Sequence, residues 1–272
     1  MTTLYILGSG SGGNALAVAA GDEVLLVDAG FSAREIMRRA TQVGIDPDQV
    51  IGLVVTHEHG DHAMGAARLA HTLRVPILTS SGTWDRLRRR MGAATFKPLA
   101  LMGGVIHGPF HIEACPTSHD AAEPVALSIR TEEGHRVGVA YDLGRPTAGV
   151  RFLLKQSHAI VLEANHDEVL LRTSDYPPAV QARIAGSGGH LSNRAAAELL
   201  AEVVHPGLAL VVLAHLSERC NNAERAREEV APVLARHAVQ LHVAPQHGPM
   251  DPMVLAGAAA APGAVGTGES GD

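Results

Sequence analysis

Apolar positions along this chain recur with two periods, and the switches between them mark its elements. Short apolar runs at residues 4–7, 24–27, 51–55, 75–79, 159–162 and 208–213 have the length and composition of buried strands. Residues 14–18, 110–115, 125–130, 136–141 and 239–243 add further strands. Between them the spacing lengthens: Ala63, Ala66, Ala67, Leu69, Ala70 and Leu73 fall on one helical face. Helices are also predicted over 32–43, from Ser80 or Ser81 onward, over 149–155, after Pro177-Pro178, over 194–204 and over 222–237. Ser32 is placed to cap its helix with Glu35 as capping-box partner, and Ser192 to cap another. Gly108-Pro109 signals a hairpin that puts His107 and His111 on the surface.

The alternation of strands and helices falls into two similar halves, roughly 1–125 and 126–254. It predicts an α/β fold of two mixed sheets packed face to face with outer helices, an αββα four-layer sandwich. One domain is expected over 1–253. Residues 254–272 are rich in Ala, Gly and Pro without core-forming periodicity, and are expected to be disordered.

Polar residues gather where strands end, and the densest cluster is Thr56-His57-Glu58-His59-Gly60-Asp61-His62. His57 and His59 are two apart, so in extended chain they project to one side. Gly60 lets the chain turn before Asp61 and His62. Imidazole nitrogen and carboxylate oxygen suit zinc, and also manganese or iron. Four ligand-type side chains this close crowd a single ion but can serve two. His119, Asp142, Glu163 with His166, and His215 each lie just past a later strand end. Asp28, ending the strand over 23–28, either orients a ligating histidine or caps its own loop.

Gly8-Ser9-Gly10-Ser11-Gly12-Gly13 matches G-x-G-x-x-G, but a strand follows where a dinucleotide site needs a helix. The loop is either an anion nest of backbone N–H groups or a plain glycine turn. Arg86, Arg88, Arg89 and Arg90, close to the single tryptophan Trp84, read as a solvated helix face before a nucleic-acid grip.

Bulk composition narrows the field. Net charge is −6, which argues against a generally basic nucleic-acid binder, although bound cations would change the sign locally. The two cysteines, Cys115 and Cys220, are far apart and suit a reducing compartment. The N-terminus reads directly into a strand, without signal-peptide or membrane-span character, so a cytoplasmic location and no membrane partner are expected.

The cluster at 56–62, with His119, Asp142 and His215 in order behind it, resembles the signature of the metallo-β-lactamase fold. Within that superfamily the chain is most similar to the YycJ/WalJ exonuclease-like type. The matching pieces are Gly8–Asn14, Ser118-His119-Asp120-Ala121, Glu163-Ala164-Asn165-His166-Asp167, Gly189-His190-Leu191-Ser192-Asn193 and His215-Leu216-Ser217. Leu143 stands where that type usually has a threonine. The resemblance implies one divalent ion held by His57, His59 and His119, a second held by Asp61, His62 and His215, and Asp142 bridging them. Zinc or manganese is implied, with iron compatible. Glu163 and His190 resemble the carboxylate–histidine pair of transfer-RNA 3′-processing enzymes, so Asp61, Glu163 and His190 form the expected catalytic set. The segment from Asp142 to His215 is too short for the domain inserted in β-CASP nucleases, and no tRNA-gripping arm is evident.

The function this implies is a dinuclear metal-dependent phosphodiesterase acting on nucleic acid, a DNA exonuclease in which a metal-bridging hydroxide attacks the phosphodiester. The alternative is a small-molecule hydrolase of the same fold, acting on a thioester, lactone or small phosphodiester. A non-catalytic metal protein fits a full ligand set poorly. A di-iron redox role normally wants a carboxylate where His59 stands. His166 is left between a substrate contact and a supporting position.

Overall fold

The computed structural model describes residues 1–256. Its first sheet runs in the order β14-β1-β2-β3-β4-β5-β6, and its second in the order β13-β12-β11-β10-β9-β8-β7. The first is built from β1 (Thr2–Gly8), β2 (Ala15–Ala20), β3 (Glu23–Val27), β4 (Val50–Val54), β5 (Ile77–Thr79), β6 (Phe96–Pro98) and the returning β14 (Met253–Val254). The second is built from β7 (Gly104–His107), β8 (Phe110–Pro116), β9 (Val125–Thr131), β10 (Arg136–Ala140), β11 (Ala159–Glu163), β12 (Leu210–Ala214) and β13 (Gln240–Val243). Each sheet is antiparallel on one side and parallel on the other, the parallel parts being β3 to β6 and β10 to β13. The helices are α1 (Ala33–Gln42), α2 (Gly60–Ala63), α3 (Ala66–Leu73), α4 (Ser81–Met91), α5 (Ala148–Leu154), α6 (Glu168–Arg172), α7 (Pro178–Ile184), α8 (Asn193–Val203) and α9 (Ala223–Leu234).

Three apolar clusters make the four layers. Phe110, Ile112, Leu127, Val139 and Val161 meet Leu4, Leu16, Leu25 and Val54 between the sheets. Leu26, Leu53 and Ile77 face Ile36 of α1, Leu69 of α3 and Leu87 of α4. Ile160, Leu162 and Val211 face Leu154 of α5, Leu200 of α8 and Val230 of α9. Strands buried on both faces read as continuous apolar runs, which is why β4, β11 and β12 were legible without alternation.

Register positions the site. Val27 pairs with Val54, so Asp28 emerges beside Val55. Ala140 pairs with Leu162 and Glu163 with Ala214, so Asp142, Glu163 and His215 leave adjacent strands at neighbouring levels. Parallel strands deliver their carboxyl ends to one edge, the usual place for a site in such sheets.

The structure differs from several expectations. The division near residue 125 is overturned: β7 and β8 belong to the second sheet, because β8 pairs with β9 along seven residues from Phe110–Thr131 to Pro116–Val125. His107 and His111 are half-buried and not surface residues; His107 Nε2 lies 3.0 Å from Ile51 O, tying the edge of the second sheet to the first. Ser32 does cap α1, accepting from Glu35 N, but the Glu35 carboxylate turns to Arg38 and Arg39 and closes no capping box. Val254, assigned to the tail, pairs with Thr3, and Leu255 N donates to Thr2 O. The rest of that tail, residues 257–272, lies outside the described residues. The four arginines of α4 are exposed, as a solvated face requires, while Trp84 stacks on Phe96 at 4.6 Å. Among the described residues, no helix is long and apolar enough to cross a membrane.

Candidate metal centre

Three residues at the site take left-handed backbone without being glycine: Asp28 (φ 60°), Asp142 (φ 56°) and His215 (φ 55°). Each is the first or second residue past its strand. That conformation turns the chain out of the sheet abruptly, and outside glycine it needs support from its surroundings.

For Asp28 the support is four donors. Its carboxylate accepts from Thr56 N at 2.8 Å, Thr56 Oγ1 at 2.8 Å, Tyr141 Oη at 2.7 Å and His62 Nδ1 at 2.8 Å. Asp28 thus orients a histidine instead of capping its own loop. Tyr141 reaches it from the other sheet; sequence reading marked that residue only as a strand end, and its phenol was the available signal.

The same economy repeats at His119, His57 and His215, where one ring nitrogen is engaged by protein and the second turns inward. His119 Nδ1 donates to Gly189 O at 3.1 Å, and its Nε2 stands 3.1 Å from His59 Nδ1. His57 Nδ1 lies 3.2 Å from Thr56 Oγ1, which donates to Asp28, so His57 Nε2 is the unprotonated nitrogen. That Nε2 is buried with no hydrogen-bond partner among the described residues. His215 Nδ1 lies 3.0 Å from Glu163 Oε1, and its Nε2 lies 3.2 Å from Asp61 Oδ2. His62 Nε2 approaches Asp142 Oδ2 at 2.8 Å and Asp61 Oδ2 at 3.5 Å.

The inward atoms form overlapping groups. His57, His59 and His119 offer ligand atoms within 4.8 Å of one another, and so do Asp61, His62 and His215. A third such group, His57, His62 and Asp142, joins them. Asp142 Oδ2 lies 3.8 Å from His57 Nε2 of the first triad and 2.8 Å from His62 Nε2 of the second, so this carboxylate stands between the two. Nitrogen and oxygen donors whose outer atoms are already fixed, with a buried orphan nitrogen on His57, fit two divalent cations.

Glu163 is fully buried. Its Oε2 accepts from Leu143 N at 2.7 Å and Leu191 N at 3.0 Å; its Oε1 meets His190 Nδ1 at 2.8 Å as well as His215. His190 is therefore anchored through Nδ1 to Glu163 and, at 3.2 Å, to Asp142, with Nε2 as its uncommitted ring nitrogen. It is the partly exposed member, at 23% of its side chain, and it borders a cleft of about 450 Å³ that also exposes His59, Asp61 and His215.

Electrostatics of the metal-free cluster follow from burial and charge. Burial disfavours a charged His62, yet Asp142 and Asp28 hold its pKa well above the ordinary range. Burial and the neighbouring His62 hold His57 well below it. Burial opposes ionisation of Glu163, but His190 brings it down to about 2. Burial lowers His215 and His190, and the surrounding carboxylates outweigh it, pushing them up to about 9 and about 10.

The glycine-rich loop is a turn that commits most of its backbone donors within the protein. Gly10 N donates to Asn14 Oδ1, Gly12 N to Gln246 Oε1 and Gly13 N to Gly10 O. Ser9 Oγ accepts from His215 N at 2.9 Å, and Asn14 N donates to Asp61 O at 2.8 Å. The loop thus braces two site residues. None of the α4 arginines borders the cleft.

Residues 8–152 match the family model described as the Metallo-beta-lactamase superfamily. The chain is 34% identical over 232 residues to Exodeoxyribonuclease YycJ of Bacillus anthracis, covering 84% of this chain and 88% of that protein. It is 29% identical over 236 residues to Exodeoxyribonuclease WalJ of Streptococcus pneumoniae, covering 85% and 87%. Among solved structures it is similar to the metallo-beta-lactamase fold protein YhfI from Bacillus subtilis, with a TM-score of 0.71, 16% identity and coverage of 92% and 100%. It is also similar to the short form of human tRNase Z, with a TM-score of 0.65, 16% identity and coverage of 92% and 98%. At these identities the structural likeness concerns the fold alone.

Proposed function

From the chain's membership of the metallo-beta-lactamase superfamily as a metal-dependent hydrolase, we propose that it is a dinuclear phosphodiesterase acting on nucleic acid, specifically a DNA exonuclease. The observation that carries this reading is the pinning of His190 by Glu163 at 2.8 Å, at the rim of a cleft floored by two ligand triads that share Asp142. The names of the relatives from Bacillus anthracis and Streptococcus pneumoniae support DNA as the polymer.

In this assignment His57, His59 and His119 would hold one ion and Asp61, His62 and His215 the other, with Asp142 available to both. Bound there, a pair of divalent ions would supply Lewis acidity toward water and toward the phosphoryl oxygens. The chain's own residues do the rest. Asp28, Glu163, Thr56 and the Gly189 carbonyl fix the ligating rings, so little reorganisation accompanies reaction. Asp61 is 29% exposed to the cleft, where its carboxylate orients the attacking oxygen. Departing alkoxide is a poor product, and His190 supplies a proton from Nε2 while Glu163 stabilises the positive ring through Nδ1. A positioned general acid of this kind contributes ~10²–10⁴-fold.

The test is a panel of 5′- and 3′-labelled single- and double-stranded DNA and RNA, run with manganese and with zinc, beside an Asp61→Ala/His62→Ala variant. Release of terminal nucleotides from DNA by the parent protein and not by the variant supports the assignment. Absence of polymer cleavage, with rapid hydrolysis of a thioester or lactone, overturns it in favour of a small-molecule hydrolase.

A further inference from the structure

A second cavity, of about 590 Å³, opens beside the metal cleft between α6, α7 and the start of α8. His190 lines both spaces, and so stands at their junction. Leu171, Pro178, Ala182 and Ala195 supply apolar wall. His166 also lines it; this residue is 2% exposed, and its Nδ1 is buried without a hydrogen-bond partner among the described residues. A buried polar atom without a partner is costly, so a ligand that satisfies it is preferred to one that does not. Arg172 stands on the same lining, and its guanidinium makes no ion pair among the described residues. The one carboxylate there, Glu168, is bound to Arg194 at 2.9 Å and to Ser192 Oγ at 3.1 Å, so its charge is offset.

Resting on the phosphodiesterase reading above, we propose that this cavity receives the nucleoside on the leaving-group side of the scissile phosphate, with Arg172 meeting the next phosphate along the strand. Position argues for the leaving side: the atom protonated by His190 must lie within reach of its Nε2, and the cavity opens past that ring. Chemistry argues for a nucleoside. A base offers a flat apolar face to Leu171 and Pro178 and a polar edge to His166, whereas an acyl chain would leave His166 unpaired. A neutral imidazole has one donor and one acceptor, which matches the mixed edge that every base carries. The volume lies within the range of ordinary small-ligand pockets.

The experiment compares a labelled oligodeoxynucleotide with bis(4-nitrophenyl) phosphate, a diester that carries no nucleoside. Ala182→Trp fills the cavity from an exposed helix face, and His166→Phe removes the unpaired nitrogen. Both are expected to lower the ratio of kcat/KM for DNA to kcat/KM for the chromogenic diester at least ten-fold, with parent-like metal content and melting temperature. Arg172→Ala is expected to reduce the salt slope of DNA binding by about 0.7, the loss of one phosphate contact on a single strand. Deoxyadenosine, titrated by NMR, should bind the parent and lose binding in Ala182→Trp. A ratio unmoved in both folded cavity variants, or deoxyadenosine binding that is absent or indifferent to Ala182→Trp, overturns the assignment. Should the parent cleave the chromogenic diester and no nucleic acid, it is the phosphodiesterase-on-DNA reading that fails. Should it cleave DNA with the ratio unmoved, the cavity assignment alone fails.

Discussion

His62 Nδ1 lies 2.8 Å from Asp28 Oδ2, and both side chains are fully buried. The contact fixes the imidazole tautomer and turns Nε2 toward Asp142 and Asp61. Partners of this kind typically account for 10–100-fold in metal affinity. Asp28→Asn is therefore expected to weaken the site holding His62 by about that factor, and the site holding His57, which Asp28 reaches only through Thr56, by less. Competition with a chelator, followed by metal analysis, checks it; equal retention of both ions would show that the hydrogen bond does not matter.

His190 and Glu163 should separate in their effects. His190→Ala is expected to lower turnover on DNA by ~10²–10⁴ while metal content holds. The loss should be much smaller on bis(4-nitrophenyl) phosphate, whose leaving group needs no proton. Glu163→Gln should reduce turnover and also metal content, because Oε1 holds His215 as well as His190. Loss of metal in His190→Ala would make that residue a ligand or a structural support.

Backbone contact gives a third expectation. A Cβ on Gly30 would overlap the carbonyl of Asp61, and it would sit 2.5 Å from Asn14 N. Both are main-chain atoms, so the turn carrying Asp61 and His62 must move. Gly30→Ala is expected to fold with fewer than two ions bound per chain, measured by metal analysis after gel filtration. Gly21→Ala is the control for a glycine change: its Cβ meets nothing within 4 Å, and its only cost is the positive φ.

The metal-free protein has a definite pH response. His215 and His190, raised to about 9 and about 10 against the drain of burial by Asp142, Glu163 and Asp61, contribute stability that is full below their unfolded value near 6.5. That contribution is lost as pH rises through about 9 to about 10. The melting temperature of chelated protein should fall over that window, and that of the metal-loaded protein should fall less, because ligation replaces the protons. Metal loading at pH 7 should release protons, detectable by calorimetry in buffers of different ionisation heat. A melting temperature of the chelated protein that is flat across the window would contradict this.

Much of the architecture was legible because it is written in local pattern. β4, β11 and β12 are apolar runs ended by His, Glu or Asp, and a strand end followed by such residues needs no tertiary information to be noticed. What pairs across the molecule was harder to see. The hairpin of β7 and β8 carries no mark of which sheet it joins; its alternation of Phe110, Ile112 and Ala114 inward fits either. The five-residue α6 is too short for periodicity, although Asp167 caps it through Val169 N and Leu170 N. Tyr141 and Ser9 act through long-range hydrogen bonds, to Asp28 and His215, which spacing alone does not reveal. Val254 was hidden by the Ala/Gly-rich stretch behind it, yet completes the edge beside β1.

Whether two ions share Asp142 is decided by anomalous X-ray scattering from crystals of the manganese- or zinc-loaded protein. Two peaks are expected about 3.5–4 Å apart, one within bonding reach of His57, His59 and His119, the other within reach of Asp61, His62 and His215, with Asp142 touching both. One peak alone, or ions bound elsewhere while His57 Nε2 stays unligated, would contradict it.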